Sequence, residues 1–360
     1  GATTLSAGVL KAGSSTALGT GTLSVSAGAA LDLNGQALTT AGALTLSGVG
    51  VNGGGALMNS GGAASHGGLV TLGSDTAIIA GSGSIALTST SATGITGSYA
   101  LLTLGGSAGG SIATKLATGG GTLVKQDGGT WTLSGASTYS GGTTLSAGVL
   151  KAGSATAFGS GAITVASGAA LDLNGQTMTS VGGLTLNGTG ISGGGALMNS
   201  GAAAQYAGAV TLGSDALVKG DSATVSLSST GGLTGNAYVL TLGGAAGGSL
   251  SGVLGGDTVA VSGLGSYASR NAGNALSFSV SNLVLGGADA ANYQLTATQL
   301  SASTGTIARK AVTLSPQSVS RVYNGSSVQV ATAADLALLT AQLGVSGDAV
   351  SAAALSLGDK

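Results

Sequence analysis

Short runs in which apolar residues alternate with hydroxylic or amide ones recur along the first two-thirds of the chain. Four follow in succession: "GTLSVSAG", "AALDLNG", "QALTTAG" and "ALTLSG", residues 21–48. A period of two is the mark of a strand with one buried face. It sets Leu23 and Val25 on one side and Ser24 and Ser26 on the other. Leu31 with Leu33, and Leu44 with Leu46, repeat the arrangement. Glycine separates the runs, where the chain must turn, often with positive φ. No run is long enough to be a hairpin core alone, so the pattern predicts many short strands that bury their apolar faces collectively.

A longer period lies over this one. "TTLSAGVLKAGSSTALGTGTLSVSAGAALDLNGQALTTAGALTLSG" at 3–48 returns as "TTLSAGVLKAGSATAFGSGAITVASGAALDLNGQTMTSVGGLTLNG" at 143–188. The register holds ungapped through "GGGALMNS" (53–60, 193–200) and "TLGSD" (71–75, 211–215). Roughly 60% of positions match, which identifies a duplicated repeat array. The copies stay recognisable to "SYALLTLGGSAGGS" (98–111) and "AYVLTLGGAAGGS" (237–249). A propeller would show blade motifs at a period near 40 residues, and none is present. The expectation is an all-β chain: a right-handed parallel β-helix followed by a small β-rich module with one short helix. Each coil would carry three short strands and about 20–30 residues. Coils stacked at about 4.8 Å would give a rod of about 50 Å. The helix is expected over "ATAADLALLTAQLG" (331–344), with Leu336, Leu339 and Leu343 on one face. Thr332 would cap its start, Asp335 would sit in its first turn and Gly344 would end it.

Composition sharpens this. Of 360 residues 71 are glycine; charged residues make up 6% and aromatics 3%, with one proline, no cysteine and no glutamate. Collagen is excluded, since there is no Gly-X-Y period and Pro316 stands alone. Disorder is excluded by a hydrophobic share of 43%. A net charge of −1 offers no basic surface to a nucleic acid. No apolar run reaches the length of a membrane span. The chain opens on "GATTLSAGVL", inside a repeat, and the expectation is an internal fragment of a longer polypeptide.

Two stretches resemble known families. "GGTWTLSGASTYSGGTTLSAGVLKAG" (128–153) resembles the passenger-associated repeat of bacterial autotransporters, and 1–13 looks like the tail of a preceding copy. "GGDTVAVSGLGSYASRNAGNALSFSVSNLVLGGADAANYQLT" (255–296) and "GTIARKAVTLSPQSVSRVYNGSSV" (305–328) resemble the YDG modules of filamentous-haemagglutinin-like exoproteins. The signature stands here as Tyr323-Asn324-Gly325, and Asn suits a tight turn as well as Asp does. The domain expectation follows. Residues 1–254 form a β-helix of two blocks, 3–116 and 143–254, joined by a passenger-associated repeat at 119–153. Residues 255–309 form a YDG-type β module, and 310–360 begin a second, truncated one.

Candidate chemistry is sparse. All eleven acids are Asp, and they are scattered. Asp32 and Asp172 are duplicates in "LDLNGQ", and Asp75 and Asp215 are duplicates in "TLGSD". Repetition with the fold implies turn or ladder roles. His66, the sole histidine, has Tyr206 as its equivalent; without Cys or Glu it cannot supply an ordinary zinc site, and it reads as an exposed loop or strand residue. "GGADAANYQ" (286–294) lacks the nonapeptide period of calcium repeats, and "LATGGGTLVK" (116–125) lacks Walker spacing. No catalytic, metal or cofactor residue is assigned. Trp131 shares a face with Leu133 and reads first as core; Trp131 and Tyr139 are nonetheless carried as candidate carbohydrate-stacking residues. The other tyrosines are Tyr99, Tyr206, Tyr238, Tyr267, Tyr293 and Tyr323; Tyr99 and Tyr238 stand beside Leu, which favours packing.

The resemblance implies a rod-like segment of a secreted surface adhesin or exoprotein, at the bacterial cell surface. Its output would be reach, display and adhesion or biofilm cohesion. Its partners would be an outer-membrane secretion barrel and polysaccharide, a host surface or copies of itself. Two readings from other classes stand beside it: a self-assembling fibre or sheath subunit, and a β-helical polysaccharide-degrading enzyme. The second would need a carboxylate cluster that the chain does not display.

Overall fold

A computed structural model describes residues 1–229, 232–235, 238–250, 259–288, 290–292, 295, 298–309, 311, 328–330, 332–343 and 354–356. The chain divides into two compact units, Gly1–Asp257 and Thr258–Lys360.

The first unit is a β-solenoid of about 12 turns. Its strands are two to five residues long, apart from Val70–Ala80 and Val210–Gly220, which run through a corner. All its ladders are parallel. Residues in register on successive coils are 19 to 28 apart, as in Trp131↔Leu150, Leu57↔Ile78 and Leu38↔His66. At the inter-strand spacing the stack is about 55 Å long.

The core is a set of side-chain columns. One runs Leu10, Leu31, Leu57, Ile78, Leu104, Lys125, Leu145, Val165, Leu186, Leu212, each paired with the next. From Leu31 to Leu212 every member is buried. Each aliphatic member contributes about 1.5–3 kcal/mol by leaving water. Nine positions obey the alternation rule with Leu, Ile or Val; Lys125 breaks it.

Glycine has a second role besides turning. Gly21, Gly42 and Gly68 stack in one series above Gly1, and Gly141, Gly161, Gly182 and Gly208 in another above Gly121. Each lies two residues before a strand's first inward side chain. None has positive φ; glycine is required because a Cβ would lie only 1.7 to 2.4 Å from the carbonyl oxygen of the glycine one coil below.

The two blocks are not superposed along the axis. Thr3–Leu5 stacks under Leu23–Val25, Leu44–Gly48, the start of Val70–Ala80, Ile95–Thr96 and Leu116–Ala117, and Thr138 N then donates to Leu116 O. The duplicate of Thr3–Leu5, Thr143–Leu145, belongs to the neighbouring ladder, over Leu123–Lys125 and Leu102–Gly105. One block therefore spans about six and one-third turns, and its copy is rotated by one face.

In the second unit Ala260–Tyr267, Gly273–Gly286 and Leu300–Ile307 form an antiparallel sheet, on which the Tyr267 and Phe278 rings meet at 5.9 Å. The helix spans Ala333–Leu343. Thr332 N and Oγ1 both donate to Asp335 Oδ2, at 2.8 and 2.7 Å, which closes its first turn. Val328–Val330 pairs with Ala354–Ser356. Gly344, Tyr293 and the Tyr323-Asn324-Gly325 signature lie outside the described residues.

Candidate functional site

The duplicated aspartates are corner staples. Asp32 is buried; its Oδ1 accepts from Asn34 N and Ser60 N, and its Oδ2 from Ser60 Oγ at 2.6 Å. Asn59 Oδ1 accepts from Gly35 N, and Asn59 Nδ2 donates to Gly62 O and Ser84 O. Asp172, Asn199 and Ser200 reproduce this network in the second block. A carboxylate held by two backbone amides and a serine hydroxyl, with a lysine beside it (Lys11 at 4.0 Å, Lys151 at 3.6 Å), joins coils and is poorly placed to act as a general base.

The coil at 123–142 holds three exceptional core residues. Trp131 is 0% exposed, between Gly110 and Leu150 in its column, and its Nε1 donates to Gly105 O at 3.1 Å. Gly110 makes the room: a Cβ there would lie 2.9 Å from the indole ring. Tyr139 is also buried, its hydroxyl 2.7 Å from Thr143 Oγ1. The expectation of Trp131 and Tyr139 as carbohydrate platforms is corrected accordingly, since a sugar cannot reach a ring enclosed in the lumen. Lys125 points inward with them. Its Nζ donates to Gln126 O and Asp127 O at 2.6 Å and to Ala147 O at 3.0 Å. Burial lowers its pKa to about 8, against the opposing pull of Asp127. The amine thus stays charged at neutral pH and ties the turn at 126–127 to the next coil.

His66 is buried rather than exposed, which corrects the sequence reading. It ends the strand Ala64–His66 between Leu38 and Leu87 in one column, and neither ring nitrogen has a hydrogen-bond partner. Burial drops its pKa to about 4. Its duplicate Tyr206 occupies the same kind of inward position and is satisfied, donating to Gly182 O at 2.8 Å. Burial pushes the Tyr206 hydroxyl pKa up.

Tyr99 and Tyr238 go the other way. Tyr99 is 80% exposed and Tyr238 47%, so the packing role expected from their leucine neighbours is corrected. Tyr99 has φ 60°, a conformation that costs a bulky residue about 1–3 kcal/mol. Its N donates to Thr118 O, and its ring edge rests over Gly120, where a Cβ would lie 2.6 Å from Cδ1. Asp75 and Asp215 are exposed. Asp75 Oδ1 accepts from Leu101 N and Asp215 Oδ1 from Val239 N, each at 2.9 Å. Sequence reasoning missed these two bonds because each aspartate lies a full coil from the amide that donates to it. Among the described residues no group of three or more His, Cys, Asp or Glu could hold a metal ion.

Two family models match the chain: the passenger-associated-transport-repeat at residues 123–152 and the YDG domain at 235–300. No curated protein and no solved structure matches it. The first match coincides with the coil of Lys125 and Trp131 and the one above it. The second starts earlier than the 255 read from sequence, taking in the solenoid strands Leu240–Gly243 and Gly248–Leu250. Both families are of a repeat, passenger-like kind rather than enzymatic, and the first implies a transport partner and a secreted or cell-surface setting. With these two matches on a β-solenoid, the chain is an autotransporter-passenger-like repeat protein.

Proposed function

We propose that this chain is a stiff, non-catalytic spacer of a secreted bacterial surface protein, exported through an outer-membrane barrel or partner. It gives reach and display, with adhesion or biofilm cohesion as the output. One observation carries the reading: ten in-register column positions, Leu10 to Leu212, form one uninterrupted stack. Neighbouring coils share a hydrophobic lumen and a backbone ladder, so bending must break both, as in other solenoids. Asp32 and Asp172 are spent on backbone amides and a serine hydroxyl, which supports a role without catalysis.

The experiment is to display the chain on an outer-membrane barrel, with an epitope at its free end, and to measure antibody access and cell attachment. Surface exposure with increased attachment or clumping is expected. An exposed epitope with no change in attachment or clumping overturns the adhesion reading. Regular filaments formed by the purified chain alone would favour a fibre subunit instead.

A further inference from the structure

Five Asn-Gly pairs occur in the sequence, at 34–35, 52–53, 174–175, 187–188 and 324–325, the last outside the described residues. Such a pair is chemically labile, because glycine has no Cβ to shield its amide nitrogen from the side-chain amide before it. In three of the four described pairs both reacting groups are held. Asn34 Nδ2 donates to Ala12 O and Gly35 N to Asn59 Oδ1, both at 2.9 Å. Asn174 Nδ2 donates to Ala152 O and Gly175 N to Asn199 Oδ1, both at 2.8 Å. Asn187 Nδ2 donates to Val165 O at 2.8 Å and Gly188 N to Ser214 Oγ at 3.0 Å. Asn52–Gly53 differs. Both residues are exposed, on the single 3₁₀ turn Val51–Gly53. Among the described residues the Asn52 side chain has no hydrogen bond and no side chain holds Gly53 N. A Cβ on Gly53 would meet nothing within 4 Å. The turn is pinned at its base, where Gly55 N donates to Val49 O at 2.9 Å, while Gly53, Gly54 and Gly55 in succession give its tip torsional freedom.

From this contrast we infer that Asn52 is a self-modification site: it deamidates in the folded chain, and the other three described pairs do not. Rotation about Asn52 ψ, which stands at 29°, brings Gly53 N to Asn52 Cγ. The nitrogen loses its proton and bonds to Cγ, the bond from Cγ to Nδ2 breaks, and ammonia leaves a succinimide ring. Water then opens the ring at either carbonyl, giving aspartate or isoaspartate; nothing is oxidised or reduced. At Asn34, Asn174 and Asn187 the same closure must first break two hydrogen bonds and shift a packed corner, which lowers the reactive population. The product places a new carboxylate on the turn and takes the formal net charge from −1 to −2. In isoaspartate the main chain also gains a methylene, which the glycine tip absorbs above its pinned base. The second block is exempt. Its matching turn, Ile191–Gly193, keeps the same conformation (φ 49°, ψ 34° against φ 51°, ψ 29°) with Ser192 in place of the asparagine. Charge thus accrues with age on one block of the rod and not on its copy.

The test incubates the whole folded chain at 37 °C in mildly alkaline buffer, then maps it by peptide mass spectrometry. Ion exchange counts the acidic species, and enzymatic methylation of isoaspartate distinguishes the two products. Conversion at Asn52 should run at least about ten-fold faster than at Asn34, Asn174 or Asn187. In urea the four sites should convert at similar rates, which isolates the protection given by the fold. Asn52→Ser, which copies the second block, should abolish the acidic species that the folded chain accumulates. Ser192→Asn should create a second labile site of similar rate in the matching turn. Both variants put a residue into a turn that already accepts it in the other block, and unchanged circular dichroism confirms folding. An Asn52 that stays intact in the folded chain while the urea-unfolded chain converts overturns the inference. So does conversion of Asn34, Asn174 or Asn187 in the folded chain as fast as Asn52, or a Ser192→Asn variant that stays inert.

Discussion

Replacing His66 by leucine should make the solenoid more stable and remove an acid-sensitive step from its unfolding. The side chain sits in an aliphatic column with both nitrogens unpartnered. A buried polar atom without a partner costs about 1–3 kcal/mol. Leucine, of similar size, removes both atoms and extends the column of Leu38 and Leu87. A gain of about 2 kcal/mol at pH 7.5 is therefore expected. The acid arm follows from linkage. The folded pKa is about 4 against 6.5 for an imidazole in water, so between these values the unfolded chain binds a proton that the folded chain refuses. Stability is then full above pH 6.5 and falls as pH drops towards 4, by about 3 kcal/mol in all. Urea unfolding followed by circular dichroism at intervals from pH 7.5 to 4.5 gives both numbers. The parent's midpoint should slide downward over this range while that of His66→Leu moves much less. Parallel curves, or a less stable leucine variant at pH 7.5, would refute the burial argument.

Other outcomes follow from the same coils. Gly141→Ala places a methyl 2.1 Å from Gly121 O and should cost several kcal/mol, whereas Gly13→Ala, with nothing within 4 Å, should be neutral or stabilising by up to about 1 kcal/mol in thermal melts. Lys125→Met keeps the stem but strips a donor from three carbonyls, and a loss of about 3 kcal/mol is expected in urea titrations. Trp131→Ala should cost about 3–5 kcal/mol through the cavity left above Gly110, and Trp131→Phe less, as read by calorimetry. Tyr99→Gly relieves the positive φ and should raise the melting temperature by a degree or more.

Much of this architecture was readable because alternation survives in strands of three residues. Leu23–Val25 and Leu44–Gly48 point inward as read, Asp32 and Asp172 serve the corners, and Trp131 packs on the face of Leu133. Lys125 was not read as an inward residue: Leu123 and Lys125 share a parity, but a charge in the lumen is too costly to expect without its three carbonyls in view. His66 hid because its strand is three residues long and is followed by two glycines, leaving no alternation to count. The rotation between blocks was not legible, since coils of 19 to 28 residues obscure the remainder left by a repeat. The exposure of Tyr99 depends on a backbone twist that no hydropathy pattern records.

The glycine series has a bearing on how such a molecule can lengthen. Each glycine forbids a side chain because of the carbonyl beneath it, so the seam is a veto handed upward from coil to coil. Point drift at any member is punished by the coil below it. A gene can extend this seam only by inserting cassettes that bring their own glycine at the right offset, which is what copying a whole block achieves and random insertion does not.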